Sequence, residues 1–190
     1  MVYYVGRVYR PSDDTWLLLD VLHERGPKGD LCIDLGAGSG ILGIYALLNG
    51  FCKRVVFVDV MEDAVESARL NTVANKVHHV SVVALSDGVV GAGESVDIVI
   101  ANPPYLPAQD PSRIDVTVEG GVEGYETVLN FIDFAREVLR RGGVLYLVYS
   151  SLSRPEVILA YLEDRGMRVS YSKYKRFFYE TIYAVECVKT

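Results

Sequence analysis

Asp34-Leu35-Gly36-Ala37-Gly38-Ser39-Gly40 joins a short apolar run, Leu31–Leu35, to a helical pattern, Ile41–Leu48. Glycines at such a strand-to-helix junction can adopt positive φ, and they let a ligand approach the bare backbone. The spacing is Gly-x-Gly-x-Gly, whereas a dinucleotide-binding fingerprint has its third glycine one place later, where Ile41 stands. The stretch predicts a ligand-binding turn in an α/β fold. A tight turn without a ligand is the alternative interpretation.

Apolar runs alternate with helical patterns on the carboxyl side of this turn. The alternation is the βαβ pattern, so it predicts a mostly parallel sheet with helices on both faces. The runs are almost continuously apolar, which is typical of strands covered on both faces. The predicted strands are Leu31–Leu35, Arg54–Val58, Val80–Ala84, Val96–Ala101 and Val144–Tyr149, and the helices between them are Ile41–Leu48, Glu62–Ala74 and Tyr125–Arg141.

Both ends of the chain add elements to this core. The added elements are a helix over Ser12–Glu24, a helix that ends at Gly166, and strands over Met167–Tyr174 and Phe178–Val188. The connection between the last two strands is short, so they should pair antiparallel. The 190 residues are predicted to form one α/β domain with residues 1–28 as an N-terminal helical extension. A parallel sheet closed by an antiparallel C-terminal hairpin is similar to the seven-stranded, Rossmann-like sheet of class I methyltransferases.

Composition and charge limit the partners of the protein. The chain has 19 Lys and Arg against 25 Asp and Glu, and its net charge of −6 does not favour binding to phosphate backbones. The first residues lack the apolar core of a signal peptide, which predicts a cytoplasmic protein. Cys32, Cys52 and Cys187 show no Cys-x-x-Cys spacing, so we expect buried free thiols in a reducing compartment, with neither a disulfide framework nor a zinc site.

Two acids are expected near the glycine turn: Asp34 directly precedes it in the sequence, and Asp59 ends the second predicted strand. Asp59 ends the second strand, where a carboxylate can accept both hydroxyls of a ribose. This spacing fits either a nicotinamide cofactor or S-adenosylmethionine. Asp34 favours the second, because a carboxylate there suits the ammonium group of a methionine moiety and would repel a pyrophosphate.

Asn102-Pro103-Pro104-Tyr105 follows the fourth predicted strand, at the carboxyl edge where doubly wound sheets bind ligands. Two prolines lock φ and hold an amide, a carbonyl and an aromatic ring in one rigid cluster. The side-chain oxygen of Asn102 and the carbonyl of Pro103 can accept the two N–H bonds of a planar NH2 group while Tyr105 stacks on its plane. A purely structural proline turn is the alternative.

Together these motifs resemble the amino-methyltransferases and, among them, the HemK-type release factor glutamine methyltransferases in their short eukaryotic and archaeal form. The further segments that carry the resemblance are Val8-Tyr9-Arg10-Pro11-Ser12-Asp13-Asp14-Thr15, Gly120-Gly121-Val122-Glu123-Gly124 and Gly142-Gly143. The match extends from about Val8 to the end of the chain. The chain departs from the family pattern in two places. Glu123 replaces the more usual Asp or Asn of the Gly-Gly segment. The family places a carboxylate near the adenine, and the alignment of this stretch leaves Ser86 and Asp87 as alternatives for that position.

The resemblance implies methyl transfer from S-adenosylmethionine to the side-chain amide of a glutamine, in the Gly-Gly-Gln loop of a translation release factor, with no metal. It implies that Asn102, Pro103 and Tyr105 hold the glutamine. The cofactor-binding residues that it implies are Thr15, Asp34, Gly36, Gly38, Asp59, Asp87 and Asn102. It also implies a small zinc-binding partner that extends the sheet along His78–Ala84.

Two other functions remain open at this stage. The same Asn-Pro-Pro-Tyr chemistry serves an N6-adenine or N2-guanine methyltransferase on DNA or RNA, although the acidic chain and the lack of a target-reading domain argue against it. A non-catalytic methyltransferase-like scaffold would have a decayed cofactor site, which this chain does not show. We also expect a mobile loop over 107–121 and a hairpin over 171–179 with buried rings.

Overall fold

The computed structural model describes residues 1–87 and 93–190. Its helices are α1 (Asp13–Arg25), α2 (Ile41–Leu48), α3 (Glu62–Ala74), α4 (Glu126–Val138) and α5 (Pro155–Asp164), with a short 3-10 turn at His78–Val80. Its strands are β1 (Gly29–Leu35), β2 (Cys52–Asp59), β3 (Ser81–Leu85), β4 (Val96–Ala101), β5 (Leu139–Ser150), β6 (Met167–Arg176) and β7 (Thr181–Lys189). Every strand and helix expected from the sequence is present within these ranges.

The seven strands form one sheet with the order β3-β2-β1-β4-β5-β7-β6. Strands β1 to β5 pair in parallel, and β7 runs antiparallel to both of its neighbours, β5 and β6. The predicted sheet with an antiparallel C-terminal hairpin is therefore confirmed. Because β1, β2 and β4 are parallel, their carboxyl ends meet at one edge of the sheet.

Two apolar cores lie on opposite faces of the sheet. Helices α1, α2 and α3 cover one face, and α4 and α5 cover the other. The apolar stripe of α4 is buried as its spacing predicts, at Val128, Ile132, Ala135 and Val138. The central strands are buried almost continuously, which is why their sequences show little alternation.

The junction between α4 and β5 differs from the prediction. The helix ends at Val138, not at Arg141, and β5 starts at Leu139. A register shift between β4 and β5 explains the difference, because the next residues bulge out of the ladder, with Gly142 at φ +75°. Arg140 Nε donates to Asp97 Oδ1 at 2.6 Å and fixes the bulge against β4.

Residues 1–7 form an extended strap along α3. Four α3-face side chains at i, i+4 spacing bind its backbone, and they belong to Asp63, Ser67, Asn71 and Asn75. Asn71 is fully buried, and it also donates to the carbonyl of Ser39 in the glycine turn at 2.8 Å. The strap thereby connects the N-terminus to the edge of the sheet where the glycine turn lies.

The cysteines do not behave as the sequence predicts. Cys32 and Cys52 form a disulfide between β1 and β2, with a Cα–Cα distance of 6.0 Å, so the expectation of free thiols was wrong for this pair. Spacing along the chain could not show it, because only the parallel pairing of two strands brings the residues together. Cys187 is free, and burial raises the pKa of its thiol to about 12.

The hairpin of β6 and β7 also departs from expectation. Its turn exposes the rings that were predicted to be buried, with Phe178 at 88% and Tyr179 at 84% exposure. The strand β7 starts at Thr181, after these rings.

Within the described ranges, no helix has the length and apolar character that a membrane span requires.

Candidate active site

A cavity of about 520 Å³ opens at the carboxyl edge of the sheet. It lies where β1, β2 and β4 end, and its walls include the glycine turn, the Asn-Pro-Pro-Tyr turn and residues of the 114–121 loop. The volume falls within the range of about 300 to 1,000 Å³ that is typical of small-molecule sites. The sequence motifs thus converge on one cavity.

The glycine turn has the backbone that its sequence predicts. Gly36, Gly38 and Gly40 have φ values of +64°, +54° and +77°. A Cβ on Gly36 would lie 3.0 Å from the ring of Phe131, so a side chain there would be both strained and crowded. A Cβ on Gly38 would have Val8 as its nearest neighbour, at 3.9 Å, so its absence leaves cavity space open.

Asp59 ends β2 and faces the same cavity. Its Oδ2 accepts the N–H of Gly38 at 2.9 Å, and its Oδ1 accepts the N–H of Met61 at 2.9 Å. These bonds hold the carboxylate against the glycine turn. Each carboxylate oxygen has a further lone pair, so Asp59 can still accept the two hydroxyls of a ribose.

The side chain of Asp34 is fully buried directly before the glycine turn and is not among the residues that line the cavity. Its Oδ1 has no hydrogen-bond partner among the described residues, and its contact with an ammonium group stays a prediction. Its Oδ2 accepts the N–H of Gly43 at 2.8 Å, which ties β1 to the first turn of α2. Burial raises the pKa of the Asp34 carboxyl to about 7, and the nearby carboxylate of Asp59 adds to the rise, while the bond from Gly43 opposes it.

The side chain of Asn102 is oriented by α1. Its Nδ2 donates to Asp14 Oδ2 at 3.2 Å and to Thr15 Oγ1 at 3.3 Å. Its Oδ1 is buried and has no hydrogen-bond partner among the described residues. Asn102 lines the cavity, and because its NH2 group is used and its oxygen is not, the side chain keeps one buried, unsatisfied acceptor.

Asp14 is the site residue that sequence reasoning missed. It is 3% exposed and binds both Asn102 and the hydroxyl of Tyr105, the latter at 3.2 Å. Burial raises the pKa of Tyr105, and the Asp14 carboxylate raises it further. The segment before α1 was part of the resemblance, but nothing in the sequence distinguishes the buried Asp14 from the half-buried Asp13.

The Asn-Pro-Pro-Tyr turn is supported by the glycine-rich segment before α4. A Cβ on Gly120 would lie 2.5 Å from the carbonyl oxygen of Pro104, and a Cβ on Gly124 would lie 2.6 Å from that of Tyr105. Only glycine fits this close approach. Pro103 is buried, so the turn is held from both sides.

The loop over 107–121, which the sequence predicts to be mobile, is connected by hydrogen bonds to the residue that follows the Asn-Pro-Pro-Tyr turn. Leu106 N donates to the carbonyl of Val118 at 3.0 Å, and Gly120 N donates to the carbonyl of Leu106 at 2.8 Å. The Glu119 carboxylate accepts two further backbone N–H groups within the loop. This loop supplies Val116 and its neighbours to the cavity wall.

The remaining predicted residues lie on the cavity wall as well. Thr15 and Asp87 both line it, and so does Ser86. Asp87 is exposed while Ser86 is half-buried, so both alternatives for the adenine contact remain. Apart from Asp34, the structure brings every predicted site residue to this one cavity.

A class I methyltransferase with an Asn-Pro-Pro-Tyr turn on its cavity wall is the class of protein that this sheet and cavity define. The family described as "Methyltransferase small domain" matches residues 10–175. The chain belongs to this family and, within it, to the HemK type. Its methyl donor is S-adenosylmethionine.

Similar proteins support this membership. A putative protein N5-glutamine methyltransferase of Methanocaldococcus jannaschii is 31% identical over 87% of this chain and 83% of its own length. Methyltransferase HEMK2 of Homo sapiens is 28% identical over 98% and 94%. The E. cuniculi Mtq2-Trm112 complex, which methylates the translation termination factor eRF1, contains a chain with a TM-score of 0.69 and 30% identity, with coverage of 96% of this chain and 99% of that one.

The cavity residues fit S-adenosylmethionine. The open backbone at Gly38 leaves room for a ligand, and the Asp59 carboxylate has acceptor capacity for ribose hydroxyls. Asn102, whose Oδ1 is buried and unpaired, lines the same cavity. Gly36, Gly38, Asp59 and Asp87 would therefore hold the cofactor, with Thr15 at the Asn102 end.

Proposed function

We propose that this protein methylates the side-chain amide nitrogen of a glutamine in the Gly-Gly-Gln loop of a translation release factor. The observation that carries the proposal is the buried, unpaired Oδ1 of Asn102 at the cavity. The similar proteins named as glutamine methyltransferases, and the Mtq2 chain whose complex methylates eRF1, support the same acceptor.

The acceptor chemistry follows from the geometry of the turn. An amide nitrogen is a poor nucleophile because its lone pair is delocalised into the carbonyl. Asn102 Oδ1 and the Pro103 carbonyl accept the two N–H groups of the glutamine, and they draw the nitrogen toward tetrahedral geometry with its lone pair facing the methyl donor. Tyr105, whose hydroxyl is fixed by Asp14, supplies the ring on which the amide plane packs.

Little further catalysis is needed once the amide is held in place. When bound, S-adenosylmethionine would supply a methyl group activated by a positively charged sulfur: the S–C bond breaks as the N–C bond forms, neutral S-adenosylhomocysteine leaves, and the methylated amide nitrogen releases one proton to solvent. Holding two reactants in line can lower the activation free energy of such a reaction by about 7 to 11 kcal/mol. The rigid proline turn and its glycine-rich support serve that positioning.

A methyl-transfer assay with several acceptors tests the function. Tritiated donor is offered with a release factor, the same factor with its loop glutamine replaced, duplex DNA and RNA. We expect label only on the release factor that keeps its loop glutamine. DNA and RNA should stay unlabelled, because the chain is acidic, with a net charge of −6, and does not favour binding to phosphate backbones. Label on DNA or RNA instead would replace the proposal with the exocyclic-amine alternative, and no label on any acceptor would favour the scaffold.

The Asn102→Ala variant tests the mechanism. We expect kcat to fall by about 10² to 10³, as when one preorganised partner is removed from a reacting centre, while cofactor affinity by calorimetry changes little. Asn130→Ala is the matched control, because that asparagine is exposed on α4. If Asn102→Ala kept most of its turnover, the turn would have only a structural role.

We also propose that a small zinc-binding partner pairs with the β3 edge. Strand β3 pairs only with β2 within the described ranges, and its Val82 and Leu85 are 60% and 53% exposed. On α3 nearby, Val73 is 55% exposed. An apolar open edge of this kind is a site for strand addition, and the similar Mtq2 chain is found in a complex with Trm112.

Val82→Lys tests the partner site. Lysine on an open edge discourages strand pairing, so we expect the lone variant to be less aggregated than the wild type and to lose capture of a Trm112-type protein in size-exclusion chromatography. Leu159→Lys is the control, since that leucine is 42% exposed on α5, which packs against β6 at the other end of the strand order. Unchanged capture by Val82→Lys would contradict pairing at this edge.

A further inference from the structure

The Asp14 carboxylate contacts the acceptor turn, Asn102-Pro103-Pro104-Tyr105, and accepts hydrogen bonds from several donors. It accepts the Tyr9 hydroxyl at 2.8 and 3.0 Å, the Thr15 N–H at 2.6 Å and the Thr15 hydroxyl at 3.2 Å. The Asn102 amide and the Tyr105 hydroxyl, each at 3.2 Å, complete the set. The carboxylate therefore joins the segment before α1, α1 itself and the Asn-Pro-Pro-Tyr turn.

No cation neutralises this carboxylate in the part of the chain that the structure describes. Asp14 takes part in no ion pair there, whereas its neighbour Asp13 pairs with Lys175 at 2.7 Å. A carboxylate that is 3% exposed is stabilised instead by the donors that surround it. The Asn102 amide is one of those donors, so the two side chains are coupled.

The coupling fixes which way the Asn102 amide points. A carboxylate can only accept, and the Thr15 hydroxyl gives its own hydrogen to Asp14 and can only accept from Asn102. A rotation of the amide by 180° would place Oδ1 against Asp14 Oδ2 at the present 3.2 Å, with two acceptors facing each other. The oxygen is thus held on the side of the amide away from Asp14 before any substrate arrives.

We infer that Asp14 is the positioning residue of this site, which holds the Asn102 amide with its oxygen toward the acceptor nitrogen and strengthens the bond that this oxygen makes. Hydrogen bonds in a row polarise one another, so the negative charge of Asp14 makes Oδ1 a better acceptor through the amide. The acceptor nitrogen gains positive charge as it is methylated, and the strengthened bond then stabilises the transition state more than the bound substrate. The inference rests on the proposed function.

Asp14→Asn and Asp13→Asn form a matched pair for the test. Both remove one negative charge from the start of α1, but Asp13 is bound to Lys175 and not to the acceptor turn. We expect Asp14→Asn to lower kcat on the release factor by about 10- to 100-fold, the usual loss for a residue that orients a functional group. Cofactor affinity by calorimetry should change little in either variant, and Asp13→Asn should keep its kcat.

An NMR signature of the Asn102 side chain makes the test independent of turnover. The two Nδ2 protons, assigned by their loss in Asn102→Ser, should lie downfield of those of the exposed Asn130 in the wild type without cofactor. In Asp14→Asn they should move toward the Asn130 position, and in Asp13→Asn they should not. A structural role of Asp14 that left the Asn102 amide untouched would not produce this shift.

The outcomes separate this inference from the proposed function. If the wild type failed to methylate the release factor, the proposed function would fall, and the NMR signature would still decide whether Asp14 orients Asn102. If the wild type were active and Asp14→Asn kept its kcat, the inference would be overturned. Should Asp14→Asn not fold, the wild-type spectrum decides, because Asn102 protons at the Asn130 position would exclude the orienting bonds.

Discussion

Replacing Asp34 with asparagine should change how the free energy of unfolding depends on pH. Burial raises the pKa of this carboxyl to about 7 in the folded protein, against about 3.9 in an unfolded chain. Between these values the unfolded chain holds fewer protons than the folded one, so the free energy of unfolding of the wild type falls as pH rises. A difference of about three pKa units corresponds to about 4 kcal/mol of the free energy of unfolding. The wild type loses this stability as pH rises, and the variant does not, because asparagine does not titrate.

The assay is urea unfolding of both proteins between pH 5.5 and 8, with the wild-type value subtracted from that of the variant. Other groups cancel in this difference, and about half of the total, about 2 kcal/mol, should appear in that range. Parallel curves for the two proteins would refute a raised pKa of Asp34, because its carboxyl would then titrate alike in the folded and unfolded chains.

Asp97→Asn supplies a control with the opposite sign. Although burial alone would raise the pKa of Asp97, hydrogen bonds from the Arg140 side chain and from the backbone N–H groups of Leu31 and Asp30 hold it below its ordinary value. The Asp97 carboxylate therefore adds to the free energy of unfolding at pH values above its pKa in the unfolded chain. This stabilisation is lost as pH falls through its pKa in the folded protein. The difference between Asp97→Asn and the wild type should therefore shrink on acidification below about pH 4.

Two further predictions concern stability. The disulfide between Cys32 and Cys52 spans 20 residues and should contribute about 3 kcal/mol, so protein refolded with reductant should melt roughly 10 °C lower. Denatured without reductant, the chain should show one thiol, and three would disprove the cross-link. Asn71→Ala should cost about 3 kcal/mol in urea unfolding, because it leaves unpaired the buried carbonyl of Ser39 and the partly buried backbone N–H and carbonyl of Tyr3. Asn75→Ala, at the exposed end of the strap, is its control, and an equal loss in the two would contradict the role of burial.

The order of strands and helices could be predicted because it depends on near neighbours in the sequence. Apolar runs of strand length and helical spacing gave all the elements, including α4 with its buried stripe. The start of β5 could not be predicted, because the bulge at Gly142 arises from the register of β5 on β4 and from the bond between Arg140 and Asp97.

The site was predictable where motifs end parallel strands. Asp59 and Asn102 follow β2 and β4, and strands that run in the same direction bring their carboxyl ends to one edge. The glycine turn was predictable too, because positive φ at Gly36 limits the residue type directly.

The sequence alone thus determined the sheet, the turn chemistry and the family to which the chain belongs. Only the tertiary structure decided that Asp34 is fully buried and that Asp14, not Asp13, binds the Asn102 amide. The physical reason is that burial and hydrogen-bond partners are set by packing between distant segments. Asp14 and Asn102 are 88 residues apart, and no local pattern records which carboxylate will meet which amide.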